Sequence, residues 1–230
     1  MTVKDFYDKM YQNGKKPEQD ESEKTLINIL QRFQLTRYDL ALMHAKGGER
    51  VLDIGCGEGD LLIQLNNTYN EVWGIDISES RIDRVRKKIN YMDSIHVRRE
   101  DANMKLEFPD HYFDTIIAIA VLEHIFDPFE FINECHRLLK PGGHLIIEVP
   151  NVAFFPNRLR LLFGLPPITS NERGWDGGHL HYFTKSTLKK LFQDMGFEIS
   201  IISHGGIFGN MRRFWGTFLC GDILIVGVKK

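Results

Sequence analysis

Asp53 and Asp76 end apolar stretches, Asp101 follows the strand-like Ile95–Arg99, and three histidines, His124, His179 and His181, come later in the chain. Carboxylates in such places can accept hydrogen bonds from hydroxyls or face a cation. Imidazoles titrate near neutral pH and can take a proton from a phenol or an amine. Just after the first acid runs Gly55-Cys56-Gly57-Glu58-Gly59, with Asp60 and the helix-forming stretch Leu61 to Leu65 behind it. Glycine has no Cβ, so such a loop turns sharply and lets its backbone approach a flat, nucleotide-like ligand.

The ligand's charge follows from the loop's surroundings. A dinucleotide loop has the pattern G-x-G-x-x-G, and its third glycine would fall at position 60, where this chain has Asp60. A pyrophosphate also favours positive surroundings, whereas Asp53, Glu58, Asp60, Asp76 and Asp101 are acidic. S-adenosylmethionine matches, because its ammonium and sulfonium sit beside an adenosine with no phosphate.

Asp53-x-Gly55-x-Gly57-x-Gly59 resembles the first motif of the class I S-adenosylmethionine-dependent methyltransferases. Further landmarks arrive in that family's order: the Val72–Asp76 strand, whose acid lies 23 residues beyond Asp53, near the spacing of about 20 for a ribose-binding acid; Glu100-Asp101-Ala102; Phe113 to Ile119 with Val121-Leu-Glu-His124; and Leu138-Leu-Lys-Pro-Gly-Gly-His-Leu-Ile-Ile147. The resemblance covers residues 48 to 150. It implies a Rossmann-like α/β fold, a seven-stranded sheet with its last strand antiparallel, helices on both faces, and a helical and aromatic lid. It implies that Asp76 holds the ribose hydroxyls, that Asp101 and Ala102 meet adenine, and that Asp53 serves the methionine end through water or backbone. Gly55, Cys56, Gly57, Ile77 and Ile119 complete that cofactor set, and Tyr11, with Tyr7, would fold over the cofactor. Each has a plainer role beside it: Asp76 as a helix cap at a strand end, Asp53 as a brace for the loop, Asp101 as turn chemistry, Cys56 as a small neutral filler.

His124 follows the fourth strand, where an acceptor must approach, and is the candidate base. His179 and His181 are two apart and share a face on an extended segment; one of them anchoring the lid is the plainer reading. Some ubiquinone-pathway O-methyltransferases and small-RNA 3′-terminal methyltransferases hold a divalent ion with Glu-x-x-Glu-His. Glu123-His124 matches the second half only, the first glutamate position being Ala120. A hard cation wants more oxygen ligands, so no metal is expected. Pro150-Asn151 with Arg158-Leu-Arg-Leu161 and the later His-x-His is similar to methionine biosynthesis protein W, a relative associated with an acyltransferase partner.

The chain has 230 residues, 43% of them hydrophobic, and a formal net charge of −2. One domain is expected, with no nucleic-acid substrate. No apolar run approaches the roughly 18 residues of a membrane span. Three scattered cysteines and a polar start point to a reduced, cytoplasmic protein. Alternating strand and helix periods give a sheet covered on both faces. Around the core at 48–150 lie an N-terminal helical cap (1–47), a lid insertion (150–183) and a C-terminal helix with strands (184–230), the last interrupted at 203–220. The two interruptions are rich in Phe, Trp, Gly and Arg, and Arg158–Phe163 with Arg212–Trp215 leaves a peripheral membrane contact open. The expected function is methyl transfer from S-adenosylmethionine, yielding S-adenosylhomocysteine, to oxygen or nitrogen of a small molecule. The alternative is a non-catalytic protein that binds an enzyme through 150–183.

Overall fold

The computed structural model describes residues 36–170, 175–205 and 212–230. The expected N-terminal helices before residue 36, and Tyr7 and Tyr11 with them, lie outside the described residues. Helix α1 (Arg37–His44) is opened by a capping box in which Thr36 and Asp39 satisfy each other's backbone.

Seven strands form one sheet: β1 (Gly48–Ile54), β2 (Tyr69–Asp76), β3 (Ile95–Arg99), β4 (Phe113–Ile119), β5 (Leu139–Pro150), β6 (Phe197–Gly205) and β7 (Asp222–Lys229). Their order is β3-β2-β1-β4-β5-β7-β6. β7 runs antiparallel to both neighbours, and the other pairings are parallel. Central strands such as Val51–Ile54 are buried on both faces, which is why they read as mainly apolar runs rather than alternating ones. The order reverses between β1 and β4, so a crevice opens beyond their carboxyl ends.

Helices α2 (Asp60–Leu65), α3 (Glu79–Lys88), α4 (Pro128–Leu138) and α6 (Lys185–Asp194) cover the sheet. One face packs α1, α2 and α3 through Leu40, Leu62, Ile82 and Val85; the other packs α4 and α6 through Phe131, Ile132, Leu188 and Phe192. Asp127 caps α4 by accepting from the Phe129 and Glu130 N–H groups, with Pro128 at the first helical position. Thr184 and Thr187 form the box that opens α6. Ser78 makes no side-chain cap bond on α3; its N–H is held by Asp76 instead. The Lys140-Pro-Gly-Gly143 stop lies inside β5, as an irregularity in its pairing with β4.

Both interruptions contain helices. After β5 comes α5 (Phe155–Leu162), and before β7 comes α7 (Arg212–Leu219). Buried Asn151 joins them, its amide donating to the Thr217 and Cys220 carbonyls. The return from the lid is extended, and Asn151 bridges Phe183.

Candidate active site

The glycine loop hangs on β2. The Gly55 and Cys56 N–H groups both donate to the Ile75 carbonyl, at 2.8 and 3.0 Å. The Gly57 N–H donates to Asp76 Oδ2 at 3.0 Å. Gly55 has φ +76°, and a Cβ there would collide with Val121 Cγ2 from the β4 exit. The loop therefore lies directly against the far wall of the crevice. Gly55→Ala is expected to cost roughly 3 kcal/mol, from left-handed strain plus overpacking. Gly57→Ala, with φ +54° and its nearest neighbour 4.0 Å away, is expected to cost roughly 1 kcal/mol. Urea denaturation of the two variants tests this; equal costs would mean that the Val121 contact does not matter.

The crevice is lined by Gly55, Asp76, Ile77, Arg81, Asp101 and Asn103, and by Ala120, Val121 and His124 from the β4 exit. Of the expected cofactor residues, Gly55, Asp76, Ile77 and Asp101 thus meet in one space. Asp53 is buried behind it at the β1 end, between Gly74 and Ile117 of the neighbouring strands. Gly57 reaches the site through its N–H, whereas Ala102 and Ile119 are half-buried and pack against the core. Burial and the carboxylates of Asp53 and Asp76 push the Cys56 thiol up, which makes it inert and supports the filler role.

Asp76 holds backbone of both the glycine loop and the start of α3. It accepts from Ser78 N–H through Oδ1 and from Gly57 N–H through Oδ2, and the Arg81 guanidinium lies 3.6 Å from Oδ2. Burial raises its pKa. Asp53 is raised well above the usual carboxylate range by burial and then by Asp76. These two buried acids form a low-dielectric, acidic floor. Glu58 and Asp60 do not contribute to it: they pair on the surface with Arg84, at 2.7 Å, and with Lys88. Asp101 Oδ1 receives both Asn103 N–H groups, and Asn103 Oδ1 receives the Phe126 N–H. The turn after β3 is thereby tied to the loop carrying His124.

His124 sits in a 3₁₀ turn, Leu122–His124, directly after Ala120, whose φ of +54° bends the chain at the end of β4. Its Nδ1 is 3.3 Å from the Gly178 carbonyl. A carbonyl only accepts, so Nδ1 carries the proton and the neutral ring has its lone pair on Nε2. His179 lies edge-on to His124, ring centroids 4.7 Å apart. Thr169 Oγ1 donates to Asp176 Oδ2 at 2.6 Å and so accepts from His179 Nδ1, also at 2.6 Å. His179 Nε2 then faces Glu123 Oε1 at 3.9 Å. His181 Nε2 reaches the Phe126 carbonyl at 3.3 Å. Residues 179, 181 and 183 turn inward and 180 and 182 outward, as the two-residue spacing predicts. Both histidines fasten the lid, and only His124 lines the crevice.

Among the described residues, Glu123, His124 and His179 are the one trio whose donor atoms all lie within 4.8 Å, so these would hold a metal ion if one bound. Burial pushes Glu123 up to about 8. Burial, reinforced by His124, takes His179 down to about 4. At neutral pH the pair is therefore a protonated acid beside a neutral imidazole, a donor set poorly suited to a hard cation. Its linkage to stability has two opposite limbs. Glu123 binds its proton more tightly folded than unfolded, so its contribution is full below about 4.5 and is lost as pH rises to 8. His179 has a depressed folded pKa, so its contribution is full above about 6.5 and is lost as pH falls to 4. Glu123→Gln removes the first limb. Relative to the parent, the variant should gain roughly 2 kcal/mol between pH 6.5 and 8. Denaturation at both pH values reads this, and an unchanged difference would show Glu123 ionised throughout.

The sequence did not reveal Arg81, Asn103 or Ala120 as site residues. Tyr38 also stands near the loop, its phenol raised by burial and by Asp53 and Asp60.

The model of a methyltransferase domain family matches residues 22–200. A probable S-adenosylmethionine-dependent methyltransferase of Mycolicibacterium smegmatis is 28% identical over 69% of this chain, which spans 55% of that relative's length. The demethylmenaquinone methyltransferase of Staphylococcus haemolyticus is 31% identical, covering 71% of this chain and 75% of its own. The fold matches magnesium protoporphyrin IX methyltransferase from Synechocystis PCC 6803, solved with bound S-adenosylhomocysteine, with a TM-score of 0.68 at 19% identity; the match covers 99% of this chain and 98% of that one. Family model, relatives and fold agree with the glycine loop and the acid at the end of β2: the chain belongs to the class I S-adenosylmethionine-dependent methyltransferases.

Proposed function

We propose that this protein transfers the methyl group of S-adenosylmethionine to an oxygen or nitrogen of a small-molecule acceptor, with His124 as the general base. The observation that carries this reading is that His124 lines the same crevice as Gly55, Asp76 and Asp101, with its ring oriented by the Nδ1 contact to the Gly178 carbonyl. In the reaction the sulfonium–methyl bond breaks, its electron pair stays on sulfur, and the acceptor's lone pair forms the new bond to carbon. The acceptor's proton passes to His124 Nε2. The chain's work is alignment, exclusion of water and that proton transfer. Asp76 would hold the ribose hydroxyls, Asp101 with Ala102 and Ile77 the adenine, and the Gly55–Gly57 backbone the methionine end. The acidic floor formed by Asp53 and Asp76 would favour the cationic cofactor over its neutral-sulfur product. Apolar Val121 and Ile125 beside His124 suit an acceptor with ring character, in keeping with a relative named for demethylmenaquinone. No metal is assigned a role.

The test is transfer of isotopically labelled methyl from S-adenosylmethionine to a panel of phenols, catechols and amines. Label in one acceptor with equimolar S-adenosylhomocysteine is the expected result. No labelled product from any acceptor, with a stoichiometric protein partner held through residues 150–183, would overturn catalysis.

A further inference from the structure

Helix α5 is built inside out. Its buried residue is the polar Asn157, which accepts the Ile168 N–H at 2.9 Å, while its apolar residues face away from the protein. Phe155, Leu159, Leu162 and Phe163 follow one another at helical spacing along the outer side, and Leu162 and Phe163 are each 75% exposed. The apolar surface continues onto α7, because Phe155 packs on Phe218 at 4.9 Å, Phe218 on Trp215 at 5.9 Å, and Trp215 is 68% exposed. A contiguous exposed patch of this kind marks a contact surface rather than ordinary scatter.

Charge selects the occupant. Residues 151–170 and 212–221 hold four arginines and no Asp or Glu, in a chain of net charge −2. The apolar face and the cationic segments therefore coincide, while the rest of the molecule is acidic. The Arg158 guanidinium lies over the Phe218 ring, 5.6 Å from its centroid, so a cation sits at the edge of the patch. An outward apolar stripe with Arg158 and Trp215 at its border, in segments of positive charge, has the chemistry of a helix lying in a lipid interface.

We propose that the α5–α7 face docks on an anionic phospholipid surface. The docked helix connects to the crevice wall, because the loop after α5 carries Thr169, which is hydrogen-bonded to His179, and the His179 ring lies edge-on to His124. The inference does not depend on methyl transfer and can fail or stand by itself. The experiment is co-sedimentation of the full chain with mixed phosphatidylglycerol–phosphatidylcholine vesicles and with pure phosphatidylcholine vesicles, at low and high salt. The expected result is at least about tenfold stronger partition onto the anionic vesicles, weakened by salt. Leu162→Glu/Phe163→Glu should reduce it at least about tenfold, and its thermal midpoint should match the parent because both side chains are exposed. No binding by the parent, equal binding to both vesicle types, or binding indifferent to the double variant would each overturn the proposal. A dimer in solution that the double variant dissociates, without vesicle binding, would assign the face to a second copy of the chain and overturn it too.

Discussion

Asp76→Ala is expected to weaken S-adenosylmethionine binding about a hundredfold by calorimetry. Each hydrogen bond to a charged acceptor contributes about 1.5–3 kcal/mol, so two ribose hydroxyls lost together account for that factor. The geometry supports a paired contact: Oδ1 and Oδ2 each take one backbone N–H, from Ser78 and Gly57, and each keeps a lone pair for a hydroxyl. Alanine also leaves those two N–H groups without their acceptor and frees the Arg81 guanidinium from its 3.6 Å contact, so the loop itself could loosen. Asp76→Asn separates the two effects. Its amide keeps one oxygen and the side chain's shape, and should weaken binding about tenfold with a native melting profile. Unchanged affinity in both variants would remove Asp76 from the cofactor site and leave it a brace for the glycine loop.

What the sequence made legible follows from where its constraints are local. The parallel strands are buried on both faces, so Val51–Ile54 and Phe113–Ile119 announce themselves as apolar runs. Helix α4 shows its cap and stripe together, and Phe131, Ile132, Cys135 and Leu138 are buried as spaced. The glycine loop is legible because only glycine tolerates the approach to Val121. Contacts that join distant residues were not legible. Glu58 and Asp60 look like site acids until α3 brings Arg84 and Lys88, 26 and 28 residues away, onto them. Arg81 looks like a solvated helix residue, and only the packing of α3 beside β2 brings it to Asp76. Helix α5 has ordinary spacing, yet its burial is reversed, because Asn157 is drawn inward to hold the Ile168 N–H. A sequence pattern tells which face is apolar, not which face is covered.

His124 separates an acceptor site from a cofactor site. His124→Ala should lower kcat about a hundredfold or more, the usual scale for a positioned base, while S-adenosylmethionine binding stays within about threefold, since none of the proposed ribose or adenine contacts involves the imidazole. Lost activity alone would not distinguish a base from a loop prop, because Nδ1 also ties the β4 exit to Gly178. Three readouts do. A base must be unprotonated, so the parent's rate rises with pH on its acid limb, and that limb should vanish in the variant. Added imidazole should restore part of the rate in His124→Ala, entering the space vacated in the crevice wall. His124→Asn can keep a donor toward the Gly178 carbonyl but has no group that takes a proton at neutral pH, so it should be as slow as alanine. His181→Ala, which loses contacts with the Phe126 carbonyl and the Phe183 ring, should retain the acid limb. If asparagine instead restores the rate, or imidazole has no effect while the pH profile stays unchanged, His124 is a positioning residue. The acceptor's proton would then leave through water, and the protein would act by alignment alone, which suffices for acceptors that attack as free amines.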